Sequence, residues 1–194
     1  MKKSHRKPLA LFSLMVVGLF LLVGCSENSS ENSSNTAKIS NTDRMFAEMM
    51  IPHHEQAIEM SELALINSES PEIVALARKI KAAQAPEIEQ MKLWIDSEES
   101  GSHMGHGSES EDHSGHGMMG MLDEGQMSEL ERATDEEFDR LFLKGMIAHH
   151  EGAIDMADMV VDSDNAEAAA LGRAIIDSQS AEIEEMKTLL AAIS

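Results

Sequence analysis

Two adjacent histidines flanked by methionines occur twice in this 194-residue chain. The first copy, at residues 50–60, has the sequence MIPHHEQAIEM, and the second, at residues 146–156, has MIAHHEGAIDM. Imidazole and thioether groups bind soft ions, so this ligand set favours Cu(I) or Ag(I) over Mg²⁺, Ca²⁺ or Mn²⁺. The repeat therefore predicts a site for a soft metal that is built twice.

Helical spacing allows these side chains to meet on one face of each element. Residues three, four or seven positions apart are neighbours on an α-helix, so the first histidine of each pair lies in line with both methionines of its copy. The second histidine borders the same interior, whereas Glu55 and Glu151 fall on the solvent face. The candidate metal ligands are Met50, His53, His54, Met60, Met146, His149, His150 and Met156.

A second repeated segment follows each cluster. Its first copy contains Gln84, Glu87 and Met91, which return at an offset of 95 residues as Gln179, Glu182 and Met186. The two methionines are further candidate ligands, with ordinary core packing as the alternative. A buried imidazole needs a partner for each nitrogen, so the glutamates and glutamines either orient a histidine ligand or bond each other and the backbone.

Residues 97–125 interrupt the helical pattern with Gly, Ser, acidic residues and clustered His and Met, which is typical of a flexible crossover loop. A His/Met tract can chelate metal without being folded, so the loop is predicted to collect metal. A soluble linker with incidental histidines is the alternative. The candidate ligands of the loop are His103, Met104, His106, His113, His116, Met118, Met119 and Met121.

The first 25 residues resemble a bacterial lipoprotein signal peptide. A basic segment at residues 2–7 precedes an apolar segment at residues 9–23, and the sequence LVGC ends at Cys25. Cys25, the only cysteine, is the predicted lipidation site and would anchor the chain to the membrane. An uncleaved anchor helix is the alternative, and both place the folded part outside the cytoplasm. Residues 26–42, rich in Ser, Asn and Glu, are predicted to be a disordered tether.

The chain is strongly acidic. Its formal net charge is −20, and the loss of four basic residues with the signal peptide would make it −24. Such a surface repels nucleic acid, which excludes nucleic-acid binding, and it attracts cations. Acidic residues that only keep a secreted protein soluble are the alternative.

From residue 43 onward the hydrophobic period is helical, and no segment alternates with period two for long enough to predict a strand. Long helices are predicted at residues 43–66, 71–95, 135–161 and 166–193, with a short helix at 127–133. Ser70 is the predicted N-cap before Pro71, and Thr134 is predicted to form a capping box with Glu137. Two helical hairpins joined by a long crossover predict one all-α domain at residues 43–194, a ferritin-like four-helix bundle.

The residue pattern favours a binding protein over an enzyme. A di-iron oxidase needs about four inward carboxylates and a Glu-x-x-His motif on two helices, whereas only Glu87 and Glu182 are available here. The adjacent pair His53 and His54 cannot form the His-Glu-x-x-His pattern of zinc hydrolases. We therefore predict no catalytic residues, and a metal-dependent oxidase is the less favoured alternative.

The repeated cluster also carries a family resemblance. The segment FDRLFLKGMIAHHEGAIDMA at residues 138–157, together with residues 43–60, resembles the bacterial family known as domain of unknown function 305. The resemblance covers about residues 43–193 and implies a ferritin-like fold whose signature positions are the paired histidines and flanking methionines. Some members are associated with copper binding and copper tolerance outside the cytoplasm, a branch that the His/Met-rich crossover favours. Among the positions at which the two copies differ, Gln56 corresponds to Gly152 and Ser61 to Ala157. The two halves can therefore differ in their affinity for metal.

Together these features predict a lipid-anchored, extracytoplasmic protein that binds Cu(I) or Ag(I) and sequesters the ion or passes it to a partner protein. The main alternative is a structural or interaction lipoprotein in which the histidine pairs are buried polar groups without metal.

Overall fold

The computed structural model describes residues 38–99 and 119–193, with side chains at 38–96 and 119–193. Within these ranges the secondary structure is entirely helical, which confirms the predicted all-α class. The helices are α1 Asn41–Asn67, α2 Pro71–Glu99, α3 Glu124–Arg132, α4 Asp135–Ala157 and α5 Ala166–Ala192. None of these described helices combines the length and the apolar character that a membrane crossing needs. The predicted signal peptide, Cys25 and the tether up to residue 37 lie outside the described residues.

Helix α1 begins at Asn41, two residues before its predicted start, and Ser40 is its N-cap. Ser40 Oγ accepts a hydrogen bond from the Asp43 N–H, and the Asp43 carboxylate accepts one from the Ser40 N–H. This reciprocal pair satisfies two N–H groups near the start of α1. Pro52 is accommodated inside α1. At the turn, Ser70 Oγ accepts from the Ile73 N–H at 3.3 Å, in agreement with its predicted role as N-cap.

The second hairpin departs from the prediction at both ends of α4. The Thr134 side chain makes no cap hydrogen bond, because Asp135 has a left-handed φ of 55° that distorts the first turn. The helix ends at Ala157 rather than at residue 161. Between Asp158 and α5 the backbone hydrogen bonds span three residues instead of four, as from the Val160 N–H to the Ala157 carbonyl. These turns allow Val160 to pack closely against Gly172 of α5.

Helix α3 corresponds to the short helix predicted at residues 127–133, but it begins three residues earlier, inside the predicted crossover loop. Helix α2 extends to Glu99, past its predicted end at residue 95, and α3 begins at Glu124. Asp123 caps α3 in a reciprocal pair with Gln126. Leu130 is buried in the core and anchors this short helix against α1 and α4.

Each histidine-bearing helix pairs with the long helix that follows it, α1 with α2 and α4 with α5. The two hairpins meet where α1 packs against α4. Met146 precedes the histidine pair on α4 and shares a core cluster with Met60, which follows the pair on α1. In the same way, Met50 before the pair on α1 shares a cluster with Met156 after the pair on α4. The two helices are therefore antiparallel at their crossing, which brings both histidine pairs to the middle of the core.

Candidate metal centre

The two histidine pairs meet at the crossing of α1 and α4, where all four side chains are 0% exposed. The rings of His53 and His149 are in contact, with centroids 3.7 Å apart and planes inclined by 40°. The ring centroid of His150 lies 6.4 Å from that of His149. The two copies of the motif thus build one buried group, called the histidine layer below and made of His53, His54, His149 and His150.

A carboxylate from the next helix of the hairpin holds the second histidine of each pair. His54 Nε2 lies 2.8 Å from Glu87 Oε2, and His150 Nε2 lies 2.8 Å from Glu182 Oε2. Of the alternatives that the sequence left open for these glutamates, the structure shows the bond to imidazole. A carboxylate oxygen accepts, so each ring donates through Nε2–H, and its Nδ1 has no hydrogen-bond partner among the described residues. Such a partner fixes the tautomer and orientation of the ring.

The two carboxylates differ in their surroundings. The Glu182 side chain is 4% exposed, and its second oxygen lies 3.7 Å from Lys79 Nζ. The Glu87 side chain is 18% exposed. A hydrogen bond to Glu185 is the main cause that raises the pKa of Lys79, and the charge of Glu182 adds to it. The second copy therefore holds its histidine in a drier and more strongly charged environment.

The first histidines of the two pairs also differ. His53 Nε2 lies 3.0 Å from the carbonyl oxygen of Met119, to which it must donate because a carbonyl only accepts. His149 makes no hydrogen bond through either ring nitrogen to any described residue, although the His53 backbone comes near its ring without reaching hydrogen-bonding geometry. His53 therefore has one nitrogen unpaired and His149 has two.

Five imidazole nitrogens of the histidine layer are buried without a hydrogen-bond partner among the described residues. They are Nδ1 of all four rings and Nε2 of His149. A buried polar atom without a partner costs roughly 1–3 kcal/mol, so a cluster of such atoms requires an explanation. A lone pair on a buried nitrogen is the group that a metal ion would take up.

Burial keeps the first histidine of each pair neutral. Loss of hydration lowers the pKa of His53 to about 4, although the Met119 carbonyl partly offsets this effect. Loss of hydration also lowers the pKa of His149 well below its ordinary value, and the nearby imidazoles, His53 first among them, lower it further. Both rings are neutral near pH 7 and keep lone pairs that metal binding requires.

Three buried methionines lie on each side of the histidine layer, because positions 50 and 60 flank position 53 along α1. One core cluster, the Met60 cluster, contains Met60, Met146 and Met186. The other, the Met50 cluster, contains Met50, Met91 and Met156. Each of these side chains is at most 5% exposed. The six thioethers predicted from the two repeats therefore all lie in the core that encloses the layer.

The glutamines of the second repeat are buried but unpaired. Gln84 on α2 and Gln179 on α5 are each 2% exposed. Neither amide has a hydrogen-bond partner among the described residues, so these side chains do not bond each other or the backbone. They add unpaired amide groups to the interior, one turn before the glutamates that hold the second histidines.

Part of the His/Met-rich crossover is described at its end. Met119 is 51% exposed, and Met121 is half-buried beside a pocket of about 360 Å³ that Gly145 and Ala148 also line. Neither methionine belongs to the Met50 or Met60 cluster. The other candidate ligands of the loop lie outside the described residues, namely His103, Met104, His106, His113, His116 and Met118.

A short segment that sequence reasoning missed crosses the histidine layer. Residues 119–122, called the strap below, run against both α1 and α4. Gln56 Nε2 donates to the Leu122 carbonyl at 2.9 Å, and Gln56 Oε1 accepts from the Leu122 N–H at 2.8 Å. The difference between Gln56 and Gly152 in the two copies was the sequence signal for this contact, but it does not reveal which segment is held.

Two glycines allow the strap to lie close to α4. Gly120 has a φ of 81°, a left-handed conformation that glycine adopts readily. A Cβ at Gly152 would lie 1.8 Å from the Met119 carbonyl oxygen, so only glycine leaves room for the strap at this position. The carbonyl that binds His53 is therefore placed by contacts to both helices.

The histidine layer is not a preformed cage. Among residues 38–96 and 119–193, no three His, Cys, Asp or Glu side chains form a group that could hold a metal ion. Two imidazoles that share an ion keep their centroids about 5 Å or more apart, because each nitrogen lies about 2 Å from the metal and the ring projects outward. His53 and His149 would have to separate to share an ion, and thioethers would have to complete its coordination.

The fold and site together define a class: an all-helical protein with a duplicated, buried histidine layer between methionine clusters. Residues 43–190 match the family described as Domain of unknown function (DUF305), and the chain belongs to that family. This confirms the resemblance drawn from the repeated motif. No protein of curated function matches the chain.

Several solved structures resemble this one. A DUF305 protein of Streptomyces coelicolor, presumed to be secreted, is 29% identical, with a TM-score of 0.68, over 78% of this chain and 92% of its own. A DUF305 fragment from Deinococcus radiodurans is 28% identical, with a TM-score of 0.67, over 80% and 99%. The protein CopM in its Cu(II)-bound form is 38% identical, with a TM-score of 0.64, over 78% and 97%. CopM has also been crystallised in Cu(I)-bound and Ag-bound forms.

Proposed function

We propose that this protein binds Cu(I) or Ag(I) in its interior, through imidazole nitrogens of the histidine layer and thioethers of the Met50 and Met60 clusters. The ion is cargo, which the protein sequesters or passes to a partner protein. We propose no catalytic turnover, because the repeated carboxylates Glu87 and Glu182 each bond a histidine and are the only two candidates that the sequence offers, whereas a di-iron site needs about four.

The observation that carries this proposal is the set of five imidazole nitrogens that lie buried between two thioether clusters without a hydrogen-bond partner at residues 38–96 or 119–193. Neutral imidazoles and thioethers select soft ions, and the low pKa of His53 and His149 leaves their lone pairs available without proton release. The similarity to CopM supports copper or silver over other soft ions.

We also propose an extracytoplasmic, lipid-anchored location and a ferritin-like arrangement of α1, α2, α4 and α5. The location is supported by the lipoprotein-like sequence that ends at Cys25 and by the similarity to the Streptomyces coelicolor protein. The arrangement is supported by the two repeated hairpins and their antiparallel crossing. Globomycin sensitivity of Cys25 processing tests the anchor, and a soluble, unprocessed chain would contradict it.

A structural or interaction lipoprotein without interior metal is the rival function. The 3.7 Å contact of His53 with His149 and the two histidine–glutamate bonds favour it, because packing and hydrogen bonds of this kind can join the helices by themselves. On that basis the histidines would serve only to join the hairpins.

Native mass spectrometry separates these functions. The protein without its signal peptide is loaded with Ag(I) or Cu(I), and the bound ions are counted in the parent, in a variant lacking residues 100–118, and in a variant with all four layer histidines changed to Ala. A milder His53→Asn, His149→Asn variant covers the case in which the fourfold change unfolds the protein. We expect the loop deletion to retain interior ions and the histidine variants to lose them. Unchanged binding in folded histidine variants would assign the metal to the loop alone.

A further inference from the structure

The strap contacts the two copies of the motif at equivalent positions but in opposite ways. Gln56 of the first copy holds the Leu122 backbone with two hydrogen bonds of 2.9 and 2.8 Å. Gly152, its counterpart 96 residues later, contributes only the space that the Met119 carbonyl occupies. One copy therefore provides the bond that fixes the strap, and the other provides the room for it.

This asymmetry reaches the histidine layer through one atom. The Met119 carbonyl, three residues before Leu122, accepts from His53 Nε2 at 3.0 Å. His149 has no equivalent partner among the described residues, and both of its nitrogens are buried and unpaired. Two sequence copies that look alike thus present different ligand atoms.

We propose that Gln56 is a positioning residue that fixes the strap, commits His53 Nε2 to the Met119 carbonyl, and thereby leaves His53 Nδ1 as the ring nitrogen that takes up an Ag(I) or Cu(I) ion. The role of Gln56 in holding the strap stands without metal, whereas the choice of nitrogen rests on the proposed function. An ion at His53 Nδ1 displaces no hydrogen bond to a described residue, whereas an ion at His53 Nε2 must first displace the Met119 carbonyl. The loss of one net hydrogen bond corresponds to about a tenfold preference for Nδ1 over Nε2, and no described residue gives His149 such a preference.

Gln56→Leu removes both bonds to Leu122 while keeping a side chain of similar size. Gln90→Leu is the matched control, because Gln90 is half-buried on α2 and bonds nothing in the strap. Metal-free hydrogen exchange at the Leu122 amide should accelerate about tenfold in Gln56→Leu and remain unchanged in Gln90→Leu. The ¹⁵N resonances of the His53 ring should change from a fixed Nε2–H tautomer to a tautomer mixture, a signature that a general loss of packing would not produce alone.

Titration with Ag(I), a redox-inert probe, then tests the choice of nitrogen. In the parent protein the ¹⁵N signal of His53 Nδ1 should move on Ag(I) binding while Nε2 keeps its proton. In Gln56→Leu, Ag(I) should also bind His53 through Nε2, so both ¹⁵N signals should divide between metal-bound and protonated forms. Gly152→Ala is a second variant that displaces the strap from α4 and should have the same effect.

The outcomes separate this inference from the proposed function. Unchanged Leu122 exchange and an unchanged His53 tautomer in Gln56→Leu would overturn the role of Gln56. Ag(I) bound through His53 Nε2, or at His149 alone, in the parent protein would overturn the choice of nitrogen. If Ag(I) moves no ¹⁵N signal of either ring in the parent, the proposed function and the choice of nitrogen both fail, while the metal-free result still decides the role of Gln56.

Discussion

Mild acid should destabilise this protein through its buried histidines. His53 has an ordinary pKa of 6.5 when unfolded and a pKa of about 4 when folded. Below pH 6.5 the unfolded chain therefore binds a proton that the folded chain does not, so the free energy of unfolding falls as pH falls and levels off near pH 4. His149 acts in the same direction, since its pKa is also lowered by burial.

The size of the effect follows from the difference in pKa. A single histidine contributes a slope of about 1.4 kcal/mol per pH unit, so His53 alone should cost about 2.5 kcal/mol between pH 7 and pH 4.5. His149 should add a comparable slope over the upper part of this range. The total is a large fraction of the roughly 5–15 kcal/mol that stabilises a typical domain.

Urea unfolding of metal-free protein between pH 7 and pH 4.5 measures this dependence. The parent and His53→Gln should be compared at each pH, because carboxylates that titrate in both proteins then cancel. We expect the free energy of unfolding of His53→Gln to depend less steeply on pH than that of the parent, by about 1.4 kcal/mol per pH unit, which is the contribution of one histidine. A parent protein whose stability is flat between pH 6.5 and 5, or a variant with the parent's slope, would refute the claim that His53 is held neutral by burial.

Three further predictions concern the supports of the site. Glu182→Ala should lower Ag(I) affinity by about 10- to 100-fold in a competition assay. Glu87→Ala should lower it less, because Glu87 is more exposed than Glu182 and water can replace its carboxylate as the partner of the histidine. Equal losses in the two variants would contradict this. Met60→Leu should change stability by less than about 1.5 kcal/mol in urea unfolding yet weaken Cu(I) binding, and unchanged binding would exclude its thioether as a ligand. Gly172→Ala should destabilise the protein by about 1–3 kcal/mol in thermal unfolding, since its Cβ would lie 2.8 Å from Val160, and an unchanged midpoint would refute this close contact.

Some helix boundaries could be predicted only approximately. The starts of α2 and α5 followed from proline and turn residues close to them, but the ends of α2 and α4 did not. Helix α4 stops at Ala157 because Val160 packs against Gly172 of α5, a contact between segments that local pattern cannot reveal. Thr134 had the residue type of a cap but lacks the bond, and the left-handed φ of Asp135 beside it is a conformation that its residue type does not predict.

The sequence by itself determined which side chains enter the core. Helical period places His53 and Met50 on one face of α1 and Glu55 on the other, and the repeat transfers that result to α4. This works because spacing along a helix sets the direction of each side chain about the helix axis. The carboxylate partners Glu87 and Glu182 were also identifiable as repeated polar groups near a hydrophobic face.

Only the tertiary structure decided which atoms meet. The crossing of α1 and α4 brings His53 within 3.7 Å of His149, and the strap leaves one ring bonded and the other without a partner among the described residues. Spacing within a helix contains no information about the register between two helices or the path of a connecting segment. Those follow from packing of distant residues, such as Gln56 against Leu122, which is why two nearly identical motifs provide unequal ligands.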